Sequence, residues 1–586
     1  MNNLIYRSGH LQNIITLDPS ATERIEILNG PSSTVYGTDA LGGVIHFKTK
    51  DPRFSTNEKW NVFGSVSSSF HTANQGKNIN ANLNIGGTKW ASFSSVTLSS
   101  LSDLKMGKSK NPFNKNGYFG ERVVYAERIN GKDVLVNNDD KYLQRFSGYD
   151  QLDVLQKISF APSASTRHSI NLQYSTSSDI PRYDRLTDVN GTGLNSAEWY
   201  YGPQERFLAI YHMTTKSDGF FESYDINANY QNMTESRHNR NFGSARLSNR
   251  IEKVNIMGLQ LSALHRSGNH ELRTGIDGYW NGLTSTAFQK NIETEAISPL
   301  DSRYPDGDNH QINIAAYATH TFHINENFVL NDGIRLGTMR LKSVFNEKTF
   351  FPFPFDKVEQ NNLVYSASVG LIYKKDGFKA SYLSSLGYRT PNVDDLAKVF
   401  ESTPGVIIVP NPFVKPETTF NNEINLSYFN KGWNIENVMY YTDLTNFISL
   451  SQGTFDGQPF IVYNGILSKV FTPGNGAKGY IWGVQSQIKK EINKIWSING
   501  AYSYTCGRNK KEGGDIPLDH IAPVLIKLGA DATYKKINAS FFILANGQKA
   551  LQDYSPSGED NLQYAPAIGM PAWMTYHVKC QYRITN

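Results

Sequence analysis

The most regular feature of the chain is an alternation of apolar and polar residues that begins near Trp60 and continues almost to the end. A period of two places alternate side chains on opposite faces of a β-strand. The segments 363–373, 424–428, 433–442 and 496–505 show it most clearly. In the last of these, one face carries Trp496, Ile498, Tyr502 and Tyr504, and the other carries Ser497, Asn499, Ser503 and Thr505. Such strands, about ten residues long, exceed the usual length in globular sheets and suit a tilted crossing of a bilayer.

The connections between these segments alternate in length. Short connections at 376–377, 430–432 and 493–494 have the composition of tight turns. The long ones are rich in Gly, Asn, Asp, Pro and Tyr and lie at 101–150, 176–204, 283–309, 341–360, 388–418, 447–477 and 548–571. Short turns on one rim and long loops on the other are typical of an outer-membrane barrel, so the pattern predicts an all-β, transmembrane antiparallel β-barrel of about twenty strands. The alternative, a series of soluble β-sandwiches, would have shorter strands and loops that do not separate by length.

One helical signal interrupts the strands, within the long loop 388–418. Asn392 can cap a helix. The apolar residues that follow it recur at helical spacing, and they are Val393, Leu396, Ala397 and Phe400. We expect a single short helix there.

Composition removes several classes of function. The 586 residues carry a net charge of +5. With no basic run longer than Lys510-Lys511, nucleic acid is not an expected partner. No stretch approaches about 18 consecutive apolar residues, so a membrane crossing must use strands. The two cysteines, Cys506 and Cys580, are too few for a disulfide framework or a CxxC metal site, and strand parity places both on the apolar face.

The first fifty residues follow a different pattern. Segment 21–50 has two apolar runs separated by turns, whose residues include Gly30, Pro31, Tyr36, Gly37, Gly42 and Gly43. The glycines could suggest a phosphate loop, but no Gly-Lys-Ser/Thr sequence follows and no βαβ unit surrounds them. Neither nucleotide binding nor a cofactor is expected.

That segment resembles the end of the plug domain of TonB-dependent outer-membrane receptors, a run close to IERIEVLRGPxSxLYGxxAxGGVINIxTK. The residues that match are Glu23-Arg24-Ile25-Glu26, Gly30-Pro31-Ser32-Ser33, Tyr36-Gly37, Ala40, Gly42-Gly43-Val44-Ile45 and Thr49-Lys50. Two later segments, 388–392 and 411–417, resemble the family's FRAPN and NPxLKPE motifs. The resemblance implies the C-terminal part of a plug domain at 1–52 and an outer-membrane barrel at 53–586.

The resemblance also implies a function. Family members import scarce ligands across the outer membrane of Gram-negative bacteria, using the TonB-ExbB-ExbD complex as energy source and with outer-membrane lipid and lipopolysaccharide around the barrel. A ferric siderophore is the expected ligand, and a glycan or oligosaccharide is the alternative within the family. From other classes we consider a passive porin, which has no use for a plug, and an outer-membrane enzyme. The enzyme would need a rim constellation such as Ser/His/acid or Zn²⁺, for which no ordered motif is found, so we expect no enzymatic activity.

The chain departs from the family pattern in three places. Asn29 stands where the family usually has Arg. Met1 falls inside what would be plug sequence, so the TonB box and the earlier plug strands of the family are not among these residues. Family barrels have 22 strands and end on an aromatic residue, so we expect two further strands beyond Ile584. The sequence therefore resembles a family member truncated at both ends.

Two groups of candidate site residues follow from the resemblance. The first is a plug-barrel lock of Arg24, Glu26, Arg389 and Glu417, because Arg pairs bidentately with carboxylates and such pairs can be remade when a plug shifts. The alternative for Arg389 and Glu417 is that they only line a wet lumen. The second group would meet the ligand at the external mouth: Tyr6, Arg7 and His10 in the plug, and the loop aromatics Trp199, Tyr200 and Tyr201.

A metal site is not expected. Asp306-Gly307-Asp308 and Asp188-Val189-Asn190 could offer oxygen ligands to Ca²⁺. Neither has the spaced ligand set of an EF-hand loop, and acidic turn chemistry explains both.

Overall fold

The computed structural model describes residues 5, 11–30, 32–108, 120–191, 193–353, 355–403, 405–463, 466–476, 478–556 and 560–585. Within them, long antiparallel strands form one large barrel sheet in which each strand pairs with its neighbours along the chain. The predicted all-β fold is confirmed. Within the same residues, no helix is long and apolar enough to cross a membrane.

Twenty strands of the described chain form the wall of the barrel. They are Asn61–His71, Gly76–Gly86, Trp90–Leu101, Tyr149–Phe160, Thr166–Ser177, Glu205–Lys216, Ser223–Asn241, Arg246–Ser267, His270–Asn291, Asn309–His323, Phe328–Val344, Lys357–Lys375, Phe378–Arg389, Glu417–Asn430, Trp433–Thr445, Lys478–Glu491, Trp496–Lys510, Leu525–Tyr534, Ile537–Asn546 and Trp573–Tyr582. Along the described ladders, the first and the last of these strands have one partner each.

The alternation of side chains decides which face of each strand points outward. In Lys357–Lys375 the exposed residues include Leu363 at 80% and Tyr365 at 57%, whereas Ser366 between its apolar neighbours is fully buried. The apolar face is therefore outside and the small polar face lines the lumen, as the pattern predicts. One-residue slips would reverse this arrangement, so the alternation also specifies the register.

The short connections are tight turns, as predicted. Asp376 and Gly377 join two strands with φ of 50° and 83°. A Cβ on Gly377 would lie 2.4 Å from the Phe429 carbonyl oxygen, so only glycine fits this turn. The two-residue turns, at 268–269, 376–377, 431–432 and 535–536, lie on one rim. The long loops lie on the other rim, together with two four-residue turns at 72–75 and 242–245.

The N-terminal segment lies inside the barrel. It consists of a 3₁₀ helix Leu11–Thr16, a helical turn Ser33–Tyr36, and the antiparallel strands Thr22–Asn29 and Gly43–Thr49. We call the described residues of 1–52 the plug segment.

The long loops contain more regular structure than their composition predicts. A five-stranded sheet joins Phe400–Thr403, Val406–Ile408, Ile448–Gln452, Phe460–Tyr463 and Ile466–Asn475. Its apolar residues pack with the helix Val393–Leu396 and with Phe345, Phe351 and Phe353 in one buried cluster. We call the described parts of 345–356, 390–416 and 446–476 the loop cap.

The predicted helix is present but shorter than the pattern suggests. The Asn392 side chain accepts from the Asp395 N–H, and Asp395 accepts from the Asn392 N–H, which completes a capping box. The helix ends at Leu396, and Phe400 begins a strand instead of extending it.

The remaining elements are short and lie in the loops. The strands are Leu104–Lys105, Val124–Ile129, Lys132–Asn137, Leu143–Gln144, Ile180–Pro181, Val189–Asn190, Gly193–Leu194, Ser196–Tyr201, Ile297–Pro299 and Ile516–Pro517; the helices are Tyr183–Leu186, Leu551–Asp553 and Leu562–Tyr564.

Candidate functional site

Arg389 and Glu417 form a buried ion pair where two neighbouring wall strands reach the loop cap. The Arg389 Nε lies 2.8 Å from Glu417 Oε2, and the residues are 5% and 9% exposed. The two other guanidinium nitrogens donate to the Asp395 carboxylate at 2.7 and 3.0 Å. Each N–H edge of the guanidinium therefore has a carboxylate partner, which suits burial of the charge.

Arg24 and Glu26 pair with each other instead of with the wall. The Arg24 Nε donates to Glu26 Oε1 at 2.5 Å, and His46 lies 3.2 Å from the other oxygen. The hydrogen bond from Arg24, followed by that of His46, lowers the pKa of Glu26. The structure thus divides the four predicted lock residues into two separate pairs, one on an exposed plug hairpin and one in the wall.

Other residues join the plug segment to this part of the wall. The Thr390 N–H donates to Thr38 Oγ1 at 3.0 Å, and the Asp39 N–H donates to the Tyr388 carbonyl at 3.3 Å. Both contacts flank Arg389. The buried pair of the wall is therefore next to the plug contact, although Arg24 and Glu26 take no part in it.

The plug glycines lie where the segment approaches charged side chains of the wall. A Cβ on Gly30 would be 2.8 Å from Glu423 Oε2, and one on Gly37 would be 3.2 Å from an Arg335 nitrogen. Both glycines also have positive φ, at 76° and 80°. Gly42 has open space around its Cβ position, and Pro31 lies outside the described residues.

Polar wall residues hold the rest of the plug segment, and one of them is Gln151, which donates to the Ile15 carbonyl at 2.7 Å. Lys157 Nζ donates to Thr49 Oγ1 at 2.9 Å and to Asp51 Oδ1 at 2.9 Å. Arg206 donates to the Thr16 carbonyl at 3.1 Å. The Thr97 hydroxyl donates to Asp18 at 2.8 Å. Each points into the lumen by strand parity, so sequence alternation could have identified these residues.

An inner cavity of about 660 Å³ lies at mid-strand height between the plug segment and the wall. Tyr36, Gly37, Arg206, Asp277 and Arg335 contribute to its lining. Arg335 holds Asp277 bidentately, at 2.7 and 2.5 Å.

A second cavity, of about 480 Å³, lies at the long-loop ends of the strands beside the loop cap. We call it the arginine cavity, because its lining includes Arg237, Arg246, Arg250 and Arg303 against one carboxylate, Asp301. Its size lies within the range of small-molecule sites.

The four arginines differ in how they are held. Arg237 donates to Glu252 at 3.0 Å and also to Glu235, and Arg250 donates to Asp301 at 2.9 Å. Arg303 lies 3.8 Å from Asp394. Within the described part of the chain, Arg246 has no acidic partner. Paired arginines keep their orientation, and a guanidinium without a counter-ion is free to bind an anionic group.

The three predicted loop aromatics are on a strand, Ser196–Tyr201, that pairs with the end of Ser223–Asn241. Trp199 lines the arginine cavity, and the Tyr201 ring lies 5.7 Å from the Arg237 guanidinium. Tyr200 points to the other face and stacks on His238 at 4.7 Å. Burial, with the Asp179 and Glu198 carboxylates, raises the pKa of Tyr200 to about 12, so its hydroxyl stays neutral.

The predicted plug residues at the external mouth, Tyr6, Arg7 and His10, lie outside the described residues. Their neighbour Ile5 is buried in the apolar cluster of the loop cap.

Two family models match the chain. The model described as "TonB dependent receptor-like, beta-barrel" matches residues 130–586, and the "TonB-dependent Receptor Plug Domain" matches residues 1–44.

Curated relatives with similar sequences are named as receptors or binding proteins. The ferric enterobactin receptor PirA of Pseudomonas aeruginosa is 21% identical over 83% of this chain and 63% of its own length. A probable hemoglobin and hemoglobin-haptoglobin-binding protein of Haemophilus influenzae is 25% identical over 32% of this chain and 20% of its own length. The chain thus spans less than two thirds of either relative.

Solved structures share the fold at low sequence identity. The copper transporter OprC superposes with a TM-score of 0.73 at 14% identity, covering 97% of this chain and 81% of that one. The ferric yersiniabactin uptake receptor FyuA from Yersinia pestis gives 0.64 at 16% identity, covering 96% and 78%.

Proposed function

Because the chain belongs to the TonB-dependent receptor family, we propose that it imports a ferric siderophore across the outer membrane of a Gram-negative bacterium. The arginine cavity is the observation that carries this proposal. It places four guanidinium groups and two aromatic side chains, Trp199 and Tyr463, at the long-loop side of the barrel. Anionic chelates are bound by such cationic and aromatic groups in a partly enclosed site.

The charge of the cavity favours an iron chelate over a glycan. A neutral oligosaccharide needs hydrogen-bonding groups and aromatic platforms but gains little from a guanidinium without a counter-ion, such as that of Arg246. A ferric chelate with excess negative charge gains a charge-assisted hydrogen bond from that group. The names of the curated relative PirA and of the structural relative FyuA, both ferric-siderophore receptors, support the same ligand class.

Energy for import would come from the TonB-ExbB-ExbD complex, as in the family. Lipid and lipopolysaccharide would surround the outward apolar face, on which Leu363 and Tyr365 lie. The plug segment would have to shift for a ligand to pass, which requires its contacts with Thr390, Lys157 and Arg206 to break.

Binding can be measured by tryptophan fluorescence of the full chain in detergent. The probes are ferric complexes of catecholate, hydroxamate and carboxylate chelators, with haemin and maltooligosaccharides as the competing classes. We expect saturable quenching by at least one anionic ferric chelate.

Arg246→Ala should weaken that binding about tenfold, equivalent to ~1.4 kcal/mol, by removing the charge-assisted hydrogen bond. The control is Arg266→Ala, an arginine with a 54% exposed side chain at the short-turn rim. Quenching by the oligosaccharides alone would overturn the siderophore proposal in favour of a glycan importer, and quenching by haemin alone would overturn it in favour of a haem receptor.

A further inference from the structure

A third cavity, of about 420 Å³, adjoins the arginine cavity. The residues that it does not share with the arginine cavity are all apolar: Pro299, Phe350, Phe351, Phe455, Ile461 and Val462. Its lining also includes the polar side chains of the shared residues. We call it the aromatic cavity. Arg246, Gln289, Leu300, Asp301 and Tyr463 line both cavities, so the two spaces meet at these residues.

Tyr463 connects the two cavities physically. Its hydroxyl donates to Asp301 Oδ2 at 2.9 Å, and the same oxygen accepts from Arg250 at 2.9 Å. Its ring stacks on Phe351 with a centroid distance of 5.6 Å. One side chain therefore belongs to the polar lining by its hydroxyl and to the apolar lining by its ring. The relative position of the two cavities is held by these contacts.

The aromatic cavity has a buried base and an exposed mouth. Phe351 and Phe455 pack edge to face at 6.2 Å, and Phe351 is 7% exposed. By contrast, Phe350 and Val462 are 42% and 71% exposed. Apolar surface at the mouth of a cavity stays in contact with water unless a ligand covers it, and covering it is favourable.

We propose that the ligand is amphiphilic: an iron chelate whose anionic head occupies the arginine cavity and whose apolar arm, acyl or aromatic, occupies the aromatic cavity. This inference rests on the proposed siderophore function and extends it to the structure of the ligand. Arg246 lies at the boundary, where it would bind the anionic group nearest to the arm.

The test compares two ferric hydroxamate chelates that differ only in an acyl chain, using the full chain in detergent. We expect the acylated chelate to bind at least tenfold more tightly, since each methylene removed from water contributes about fourfold in affinity. Phe350→Ser and Val462→Ser should abolish this difference and leave the affinity for the unacylated chelate unchanged. Both residues are exposed, so neither change should disturb folding.

Phe413→Ser is the matched control, because Phe413 is 83% exposed and does not line either cavity. It should retain the full preference for the acylated chelate. A preference that persists in Phe350→Ser and Val462→Ser would reflect partition into detergent and overturn the inference. Equal binding of both chelates by the unaltered chain would also overturn it, while the siderophore function would stand. If neither chelate nor any other ferric complex bound, the proposed function itself would fail.

Discussion

Arg389 and Glu417 face each other across two paired wall strands, with Nε 2.8 Å from Oε2, at the point where both strands enter the loop cap. Glu417 also accepts a hydrogen bond from the Ile448 N–H, and Arg389 holds Asp395 of the capped helix. The pair therefore connects the wall to two parts of the loop cap. The plug contact at Thr390 is the next residue along the chain.

We expect Glu417→Ala to loosen the loop cap and the neighbouring plug contact. Removing one partner of a buried ion pair costs about 3–5 kcal/mol, because the other charge remains buried. The midpoint of heat unfolding in detergent should fall, and cells that produce the variant should become susceptible to antibiotics normally excluded by size. Glu417→Gln keeps an oxygen acceptor and should have a smaller effect. If Glu417→Ala kept the wild-type stability and permeability, the lock would be contradicted, and Arg389 and Glu417 would only line the lumen.

Lys157→Met should release the end of the plug segment. Lys157 is 7% exposed and binds Thr49 and Asp51, so its loss frees the stretch that contains the tryptic sites Lys50 and Arg53. Trypsin should then cleave the folded protein faster within residues 48–53. The control is Lys89→Met, at an exposed turn, in which cleavage within residues 48–53 should keep the wild-type rate. Equal rates in both variants would show that other contacts hold this stretch.

The wall and the plug motif could be predicted because their signals are local. Alternation decides the outward face of Lys357–Lys375 within the strand itself, and three glycines of the plug motif, Gly30, Gly37 and Gly43, mark positions with positive φ. The capping box needs only Asn392 and Asp395, three residues apart. Each of these features depends on neighbours in sequence.

The loop cap could not be predicted in the same way. Its sheet pairs Ile466–Asn475 with Val406–Ile408 and with Ile448–Gln452, segments that no short-range pattern connects. Part of the arginine cavity could be predicted from the sequence, because strand parity places Arg237, Arg246 and Arg250 on the lumen face. Arg303 lies in a loop, so its presence beside them depends on tertiary packing.

Motif positions alone predict a single lock of four residues, but side-chain alternation along Thr22–Asn29 separates two of them from the wall. Arg24 and Glu26 are two residues apart on Thr22–Asn29, so their side chains are on the same face and within reach of each other. The role of the lock in transport stays a prediction, and the buried pair Arg389 and Glu417 is the part to test first.

Acid should release the hairpin formed by Val124–Ile129 and Lys132–Asn137 from the rim of the barrel. Burial alone would raise the pKa of Asp133, but hydrogen bonds from Arg240 and the Gly243 N–H outweigh it and lower the pKa. A lowered folded-state pKa means that the stabilisation is present above the unfolded value, about 3.9, and is lost as pH falls through the folded value.

A nitroxide at Lys132→Cys, in a background with Cys506 and Cys580 replaced by serine, would report the release. The label should be immobile at pH 7 and become mobile only as the pH falls below the unfolded value of about 3.9 and through the lowered pKa of Asp133. With Asp133→Asn, it should be mobile already at pH 7. Asp140→Asn removes an exposed pair with Lys105 outside the hairpin and should leave the label immobile. A label that stays immobile in acid would mean that apolar contacts, and not Asp133, hold the hairpin.

Val369→Arg should destabilise the barrel in a bilayer far more than Ser368→Arg on the same strand. Val369 is 48% exposed on the outward face, in the middle of the apolar band that runs from Leu363 to Tyr373, whereas Ser368 has the parity of the lumen. An arginine on the lipid face near the bilayer midplane costs about 2–4 kcal/mol, because the charge leaves water for hydrocarbon. An arginine in the polar lumen keeps contact with water and hydrogen-bonding groups, so its cost should be smaller. Urea unfolding in lipid vesicles measures both values, and equal destabilisation would contradict the assignment of the odd-numbered face to lipid.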